Sequence, residues 1–128
     1  MLKKESWTAV NDNTNIRWVK IFHLYKGFIR KQTKPGFYIK GSARVVEPPR
    51  LEYKGFKYKY SVKGDICRMF LVRSNYKLFN KASFYLTFRG NTGFIIKKKN
   101  DAKSKFLHGP ISRLLKRKKV LTLFKTVI

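Results

Sequence analysis

The chain has 128 residues, the length of one core-forming domain, so we expect a single domain over residues 1–128 rather than two. Its 31 Lys and Arg residues stand against 6 Asp and Glu residues, which gives a formal net charge of +25 and predicts a polyanionic partner. The hydrophobic content of 43% and aromatic content of 16% exclude a disordered basic tail, because they supply enough material for a core.

The first predicted elements are two strands joined by a polar turn. Residues 7–10 form a short strand, and residues 16–25 form a long, mostly buried one that includes Ile16, Trp18 and Phe22. Between them, the Asn, Asp and Thr side chains of residues 11–15 hydrogen-bond their own backbone readily. The pattern predicts a hairpin.

A third strand follows Lys34-Pro35-Gly36. Its inward positions alternate with polar ones and are mostly small, and two prolines at positions 48 and 49 end it. The inward residues are Phe37, Ile39, Gly41, Ala43 and Val45.

A fourth strand is predicted over residues 56–63, where aromatic and cationic residues alternate. Phe56, Tyr58, Tyr60 and Val62 share one face, and Lys57, Ser61, Lys59 and Lys63 share the other. We interpret this segment as the far arm of a β-ribbon that begins near Glu47.

The next strand signals lie between residues 66 and 96. Residues 66–72 are an apolar run broken only by Arg68, which is typical of the middle of a sheet. Residues 84–88 and 94–96 are predicted to form a second hairpin around a turn at residues 90–93.

One helix is predicted, and it follows Gly109-Pro110. Ile111, Leu114 and Leu115 have helical spacing, and Lys and Arg cover the remaining positions up to residue 119. Residues 120–124 return to a strand-like pattern. The elements together predict a small antiparallel β-barrel with a basic helix near its end.

Catalytic and metal chemistry find little support in the sequence. The carboxylates are scattered away from the histidines, and a site built on His23 and His108 would need a third ligand that the nearby sequence does not offer. Cys67 is the only cysteine, which excludes an internal disulfide, and it is predicted to be an inert core thiol. We expect no enzyme activity, no cofactor and no metal.

The basic residues indicate a binding function, because an ordinary solvated surface mixes both signs of charge. Clusters such as residues 97–99 and 116–119 have almost no acidic residue beside them. Lys and Arg on a rigid sheet neutralise phosphates, and aromatic side chains among them can stack on bases. Tyr53, Tyr58 and Tyr76 are candidates for stacking, with core packing as the alternative for each.

In chain order, these segments resemble the universal large-subunit ribosomal protein family called L-fourteen. The Asp12-Asn13 pair is similar to the family's Asp-Asn-Ser-Gly-Ala turn, although Asn15-Ile16 replaces Gly-Ala. A closing motif of the family, Phe-Gly-Pro-Val-Thr-Arg-Glu-Leu, resembles residues 107–115 with one extra residue before Gly109 and with Leu114 in place of Glu.

The central signature of the family is also present with every spacing held. It departs from the family pattern at Met69, at Ala82-Ser83 and at Phe94. The segment from Glu47 to Lys63 is several residues longer than usual. The resemblance therefore indicates a divergent member. The positions that carry the signature are Met69, residues 70–72, Ala82-Ser83, Phe88, Asn91 and Phe94-Ile95.

The resemblance implies a mainly β protein: a small closed five-stranded antiparallel β-barrel with a projecting β-ribbon and a short C-terminal helix. It further implies a structural constituent of the large ribosomal subunit, in contact with large-subunit ribosomal RNA and with neighbouring large-subunit ribosomal proteins. It also places the protein at the face that meets the small subunit and its RNA, where it supports translation.

The basic residues are divided between two predicted surfaces on this basis. The predicted contacts to large-subunit RNA are Lys26, Arg30, Lys31, Lys34, Arg44, Arg50, Lys54, Lys57, Lys59, Arg73, Lys77, Lys81, Arg89, Lys97, Lys98 and Lys99. The predicted contacts at the subunit interface are Lys105, Arg113, Lys116 and Arg117.

The composition favours a mitochondrial ribosome. The bias towards Phe, Tyr, Ile, Asn and Lys resembles a protein of an AT-rich genome, and the start has neither a secretory signal nor an organelle presequence, as an organelle-encoded protein would show. Plastid and bacterial origins are the alternatives.

Two other classes of protein compete with the ribosomal one. They are a free basic barrel that binds single-stranded nucleic acid, and a cationic membrane-surface protein, for which the basic helix is too short. No membrane span is predicted.

Overall fold

The structure is a computed structural model that describes residues 2–25, 27, 31–48, 61–97, 101–104, 106–115 and 118–128. The strands, in chain order, are β1 (Leu2–Lys3), β2 (Trp7–Val10), β3 (Ile16–His23), β4 (Gln32–Thr33), β5 (Tyr38–Val46), β6 (Ile66–Arg73), β7 (Leu78–Phe79), β8 (Tyr85–Leu86), β9 (Thr92–Ile95), β10 (Leu107–Ile111) and β11 (Phe124–Val127). Helix α1 (Lys118–Leu121) lies between the last two strands.

Five of these strands form a closed barrel in the order β2, β3, β5, β6 and β9. The pairs β2–β3, β3–β5, β5–β6 and β6–β9 are antiparallel. The barrel is closed by a parallel pair, in which Ala9 of β2 lies opposite Thr92 of β9. The predicted five-stranded barrel is confirmed, and its antiparallel description is corrected at this one pair.

The hairpin predicted from the first two strands is confirmed, with Thr8 opposite Val19. Strand β3 is less buried than predicted. Ile16, Val19 and Ile21 are in the core, whereas Trp18 and Phe22 are close to half-exposed. The pairing of β3 with β5 shifts register on both sides of Trp18. Such a bulge turns the side chains at the shift to the outer face.

Small residues on β5 let it approach β3 closely. A Cβ added to Gly41 would lie 2.5 Å from Cγ1 of Val19 and 2.6 Å from the carbonyl oxygen of Lys20. Neither distance is compatible with a side chain, so this strand contact requires glycine.

Strand β6 separates two hydrophobic cores. Met69 and Leu71 face the barrel interior, where they join residues of β2, β3, β5 and β9. Phe70 and Val72 face the opposite side, where side chains from the segment from β10 to β11 cover them. We call this segment the C-terminal layer, and its covering residues are Leu107, Ile111, Leu115, Val120 and Phe124. Both faces of β6 are therefore buried, which confirms the prediction that this apolar run lies in the middle of the sheet.

The predicted second hairpin is wrong. Residues 85–86 form β8, which pairs with β7 through Leu78 opposite Leu86, while β9 joins β2 and β6 in the barrel. The physical reason lies at Gly93, where an added Cβ would stand 2.7 Å from the carbonyl oxygen of Phe70. This close fit places β9 against β6 rather than against the exposed residues before it.

The C-terminal helix exists but does not follow Pro110 directly. Ile111 ends strand β10, which pairs in parallel with β11, and α1 begins seven residues later and has four residues. Strand β11 likewise begins at Phe124 rather than at residue 120. Of the three residues with helical spacing, Ile111 and Leu115 are buried, whereas Leu114 is exposed. The predicted ribbon strand over residues 56–63 lies, up to residue 60, outside the described residues.

Candidate nucleic-acid interface

The cations on the described surface have few acidic partners. Within the ranges given above, the ion pairs are Arg17 with Glu47 at 2.7 Å and Lys20 with Glu5 at 3.3 Å. Neither Arg17 nor Lys20 belongs to the predicted RNA contacts. The predicted cations that the structure describes as exposed are Lys31, Lys34, Arg44, Lys77, Lys81, Arg89, Lys97 and Arg113.

The remaining predicted contacts, apart from Arg73, lie outside the described residues. They are Lys26, Arg30, Arg50, Lys54, Lys57, Lys59, Lys98, Lys99, Lys105, Lys116 and Arg117. Tyr53 and Tyr58, two of the candidates for base stacking, also lie there, whereas Tyr76 is described and partly buried.

Lys34 and Lys77 are far apart in sequence but line the same cavity of about 230 Å³. Its other lining residues are Pro35, Gly36, Phe37, Tyr76, Leu78, Phe79 and Leu114. Nζ of Lys34 is 5.8 Å from the centre of the Phe37 ring, and Nζ of Lys77 is 4.8 Å from the centre of the Tyr85 ring. The fold thus combines two predicted cations with an apolar, partly aromatic lining.

A second basic feature, which was not predicted from the sequence, crosses three strands of the barrel. His23 lies opposite Lys40, and Lys40 lies opposite Arg68. The guanidinium carbon of Arg68 is 5.5 Å from the centre of the Tyr25 ring and 5.6 Å from that of Tyr38. We call His23, Lys40 and Arg68 the barrel stripe. Lys40 and Arg68 therefore place two like charges directly opposite each other on neighbouring strands.

Arg73 differs from the other predicted RNA contacts that the structure describes, because it is partly buried. Its Nη2 donates to the carbonyl oxygen of His108 at 3.3 Å. A Cβ added to Gly109 would lie 2.5 Å from Nη1 of Arg73. Desolvation by burial lowers the pKa of the guanidinium. These contacts favour a role for Arg73 in holding β10 against the barrel.

Asp12 and Asn13 of the predicted polar turn, and His108, have structural contacts. The Asp12 carboxylate accepts hydrogen bonds from the backbone N–H of Thr14 at 3.0 Å and from that of Ile95 at 3.0 Å, and burial raises its pKa. Nε2 of His108 is 2.8 Å from Oδ1 of Asn13. In the part of the chain that the structure describes, no group of three or more His, Cys, Asp or Glu residues could hold a metal ion.

Cys67 is buried in the barrel core, where burial raises the pKa of its thiol to about 11. With this pKa, about one thiol in a thousand is ionised at pH 8, and the ionised thiolate is the form that reacts. We expect an aromatic disulfide reagent to label Cys67 of the folded protein slowly, and to label it several hundred times faster in 6 M guanidinium chloride at the same pH. Between pH 7 and pH 9 the folded-state rate should rise about tenfold per pH unit. Fast labelling of the folded protein at pH 7 would contradict the burial of this thiol.

Together, the barrel and its exposed cations define the class of small basic β-barrel proteins. Among the described residues, no helical segment has the length and apolarity needed to cross a bilayer. A comparison with known families matches residues 1–128 to the family described as Ribosomal protein L14p/L23e. The chain belongs to this family, whose members are structural ribosomal proteins rather than enzymes.

A comparison with curated proteins agrees with this family. The chain is 30% identical over 124 residues to Large ribosomal subunit protein uL14m of Tetrahymena pyriformis, and the match covers 97% of each chain. This similarity supports a divergent mitochondrial member, and it confirms the resemblance found in the sequence.

Proposed function

We propose that the protein is a structural constituent of the large subunit of a mitochondrial ribosome and binds large-subunit ribosomal RNA there. The observation that carries the proposal is the set of exposed predicted RNA contacts, from Lys31 to Lys97, that have no ion-pair partner among the described residues. In a ribosomal protein family, RNA phosphates are the polyanion that such a surface meets.

The geometry supports RNA rather than a small anion as the ligand. The barrel stripe lies on β3, β5 and β6, while the cavity at Lys34 and Lys77 is formed by the segment before β5 and the hairpin after β6. Cations spread over several elements suit a ligand that follows the surface, because each phosphate of a nucleic acid takes its own contact. The rigid barrel keeps these positions fixed relative to each other.

Recovery of the protein from salt-washed ribosomal subunits tests the proposal. A tagged copy, expressed in the organism's own mitochondria, should sediment with large subunits after a wash in 0.5 M KCl, and ribonuclease should release it. A tagged protein that sediments with membranes, or that stays at the top of the gradient, would contradict the ribosomal assignment.

We further propose that the surface around residues 105–117 faces the small subunit and its RNA. Arg113, the described member of the predicted interface set, is exposed in the turn after β10, and its backbone N–H donates to the carbonyl oxygen of Ile128 at 2.8 Å. This bond fixes the turn to the C-terminal strand. Lys105, Lys116 and Arg117 are its neighbours in sequence.

Reversing these four charges should separate subunit joining from RNA binding. The variant with Glu at positions 105, 113, 116 and 117 should enter free large subunits normally, because other cations dominate that step, but should lower the fraction of joined ribosomes at low magnesium concentration. Sucrose gradients measure both fractions. The matched control reverses Lys3, Lys4, Lys63 and Lys125, which the structure describes as exposed and whose reversal changes the net charge by the same amount. An equal joined fraction in both variants would exclude the interface role.

A further inference from the structure

We propose that the cavity between residues 34–37 and the β7–β8 hairpin binds one unpaired nucleotide of the RNA. Its base would lie against Phe37 and Phe79, and its phosphates against Lys34 and Lys77. The inference rests on the proposed function and adds the class of nucleotide and the residues that receive it.

The β7–β8 hairpin exposes three aromatic side chains to solvent. Phe79 is 64% exposed, Phe84 is 72% exposed and Tyr85 is 55% exposed. Phe79 and Tyr85 are cross-strand partners whose ring centres lie 5.9 Å apart. Contiguous exposed apolar side chains of this kind mark a binding surface.

The tip of the hairpin is held in place before any ligand arrives. Oδ1 of Asn80 accepts hydrogen bonds from the backbone N–H of Ala82 at 3.0 Å and from that of Phe84 at 3.1 Å. The backbone N–H of Asn80 donates to the carbonyl oxygen of Phe84 at 2.9 Å. Ser83 adopts a positive φ of 64°, which closes the turn. A fixed aromatic surface loses little conformational entropy when a base stacks on it.

The charges around the cavity favour a nucleotide over an apolar protein segment. Residues 31–37 and 74–91 contain five cations and no Asp or Glu. The cations are Lys31, Lys34, Lys77, Lys81 and Arg89. An apolar protein partner would bury Lys34 and Lys77 without compensation, which is costly. A nucleotide supplies both an apolar base face and an anionic phosphate.

The outer face of β2 and β3 offers an internal comparison. Trp7 and Trp18 are also close to half-exposed there, but the neighbouring cations are neutralised, since Arg17 pairs with Glu47 and Lys20 with Glu5. That face combines aromatic side chains with balanced charge. At the hairpin, aromatic side chains stand beside unbalanced positive charge, which is the combination that single-stranded nucleic-acid sites use.

The nucleotide must be unpaired because a paired base has its faces covered by its neighbours in the helix. A volume of about 230 Å³ holds a single planar base, not a helical segment. Pro35, Phe37 and Leu114 line the cavity with apolar side chains, as do Leu78 and Phe79 of the hairpin.

Fluorescence with the full chain tests this site. The probes are a single-stranded RNA 12-mer with a central 2-aminopurine and a fully paired RNA hairpin of equal length. Phe79→Ala should weaken binding of the single-stranded probe by about tenfold and abolish the quenching of 2-aminopurine, because it removes a stacking surface. It should change binding of the paired probe less than twofold.

Three further variants keep the result interpretable. Phe79→Trp should retain both affinity and quenching, whereas Phe79→Leu, which preserves apolar bulk and the fold, should lose the quenching. The matched control is Phe106→Ala, which removes an exposed ring outside the hairpin and should leave both probes unaffected.

The outcomes separate this inference from the proposed function. Equal weakening of both probes by Phe79→Ala, or quenching retained in Phe79→Leu, overturns the nucleotide site while RNA binding stands. If the variants bind both probes like the wild type but fail to enter large subunits, the occupant is a protein, and the nucleotide site is wrong. A wild-type protein that binds neither probe at 50 mM KCl overturns the RNA-binding function itself.

Discussion

Raising the KCl concentration from 50 to 200 mM is expected to weaken binding of a large-subunit RNA fragment by about 10³-fold. Each phosphate contact releases condensed counterions, so the logarithm of the affinity falls linearly with the logarithm of the salt concentration, by about 0.9 per contact in duplex nucleic acid. Seven of the predicted contacts to large-subunit RNA are exposed in the described part of the chain, and contact by about six of them gives this loss. Filter binding over a series of KCl concentrations measures the slope.

A double substitution tests whether the cations at the cavity contribute to that slope. Lys34→Gln with Lys77→Gln should lower it by about two, because two phosphate contacts are lost. Arg17→Gln with Lys20→Gln is the matched control, since Glu47 pairs with Arg17 at 2.7 Å and Glu5 pairs with Lys20 at 3.3 Å, so both cations are already partly neutralised. A wild-type affinity that is independent of salt would contradict the electrostatic assignment of the whole surface.

The barrel was predictable from sequence because its strands carry their signal locally. Residues 7–10 and 16–23 alternate around a polar turn, and the small residues Gly41 and Ala43 mark the close approach of β5 to β3. The exposure of Trp18 was not predictable, since the register shift that turns it outward depends on the pairing with β5.

The C-terminal half was predicted less well because its contacts are long-range. Ile111, Leu114 and Leu115 have helical spacing, yet Ile111 belongs to a strand that is paired with β11. Three positions are too few to distinguish a helix from a strand and a turn. The prediction of a hairpin after residue 84 was wrong for the same reason, because β9 pairs with β2 and β6, which are distant in sequence.

For the candidate site, charge identified the kind of residue but not its neighbours. Lys34 and Lys77 were predicted as separate contacts, and only the fold brings them to one cavity. Lys40 and Arg68 were overlooked because their adjacency depends on the β5–β6 register. Arg73 was assigned to RNA on its charge alone, whereas Gly109 and His108 of the C-terminal layer cover it.

Phe70→Ala should be the most destabilising of the substitutions considered, lowering the free energy of unfolding by about 3–5 kcal/mol. Phe70 is 1% exposed and lies on the outer face of β6. Its ring centre is 5.5 Å from that of Tyr38 and 5.4 Å from that of Phe94. Removal of the ring leaves a cavity between the barrel and the C-terminal layer that Leu107, Ile111 and Leu115 cannot fill without moving β10.

Urea unfolding, followed by tryptophan fluorescence, measures this loss, with Phe106→Ala as the control. Phe106 is 61% exposed, so its truncation should change stability by less than about 0.5 kcal/mol. A domain is stable by only about 5–15 kcal/mol, so the loss at Phe70 consumes a large part of it. A loss below about 1 kcal/mol would mean that the C-terminal layer is held to the barrel elsewhere, at Arg73 and His108. In that case Arg73→Ala, rather than Phe70→Ala, should release β10 and β11 from the barrel.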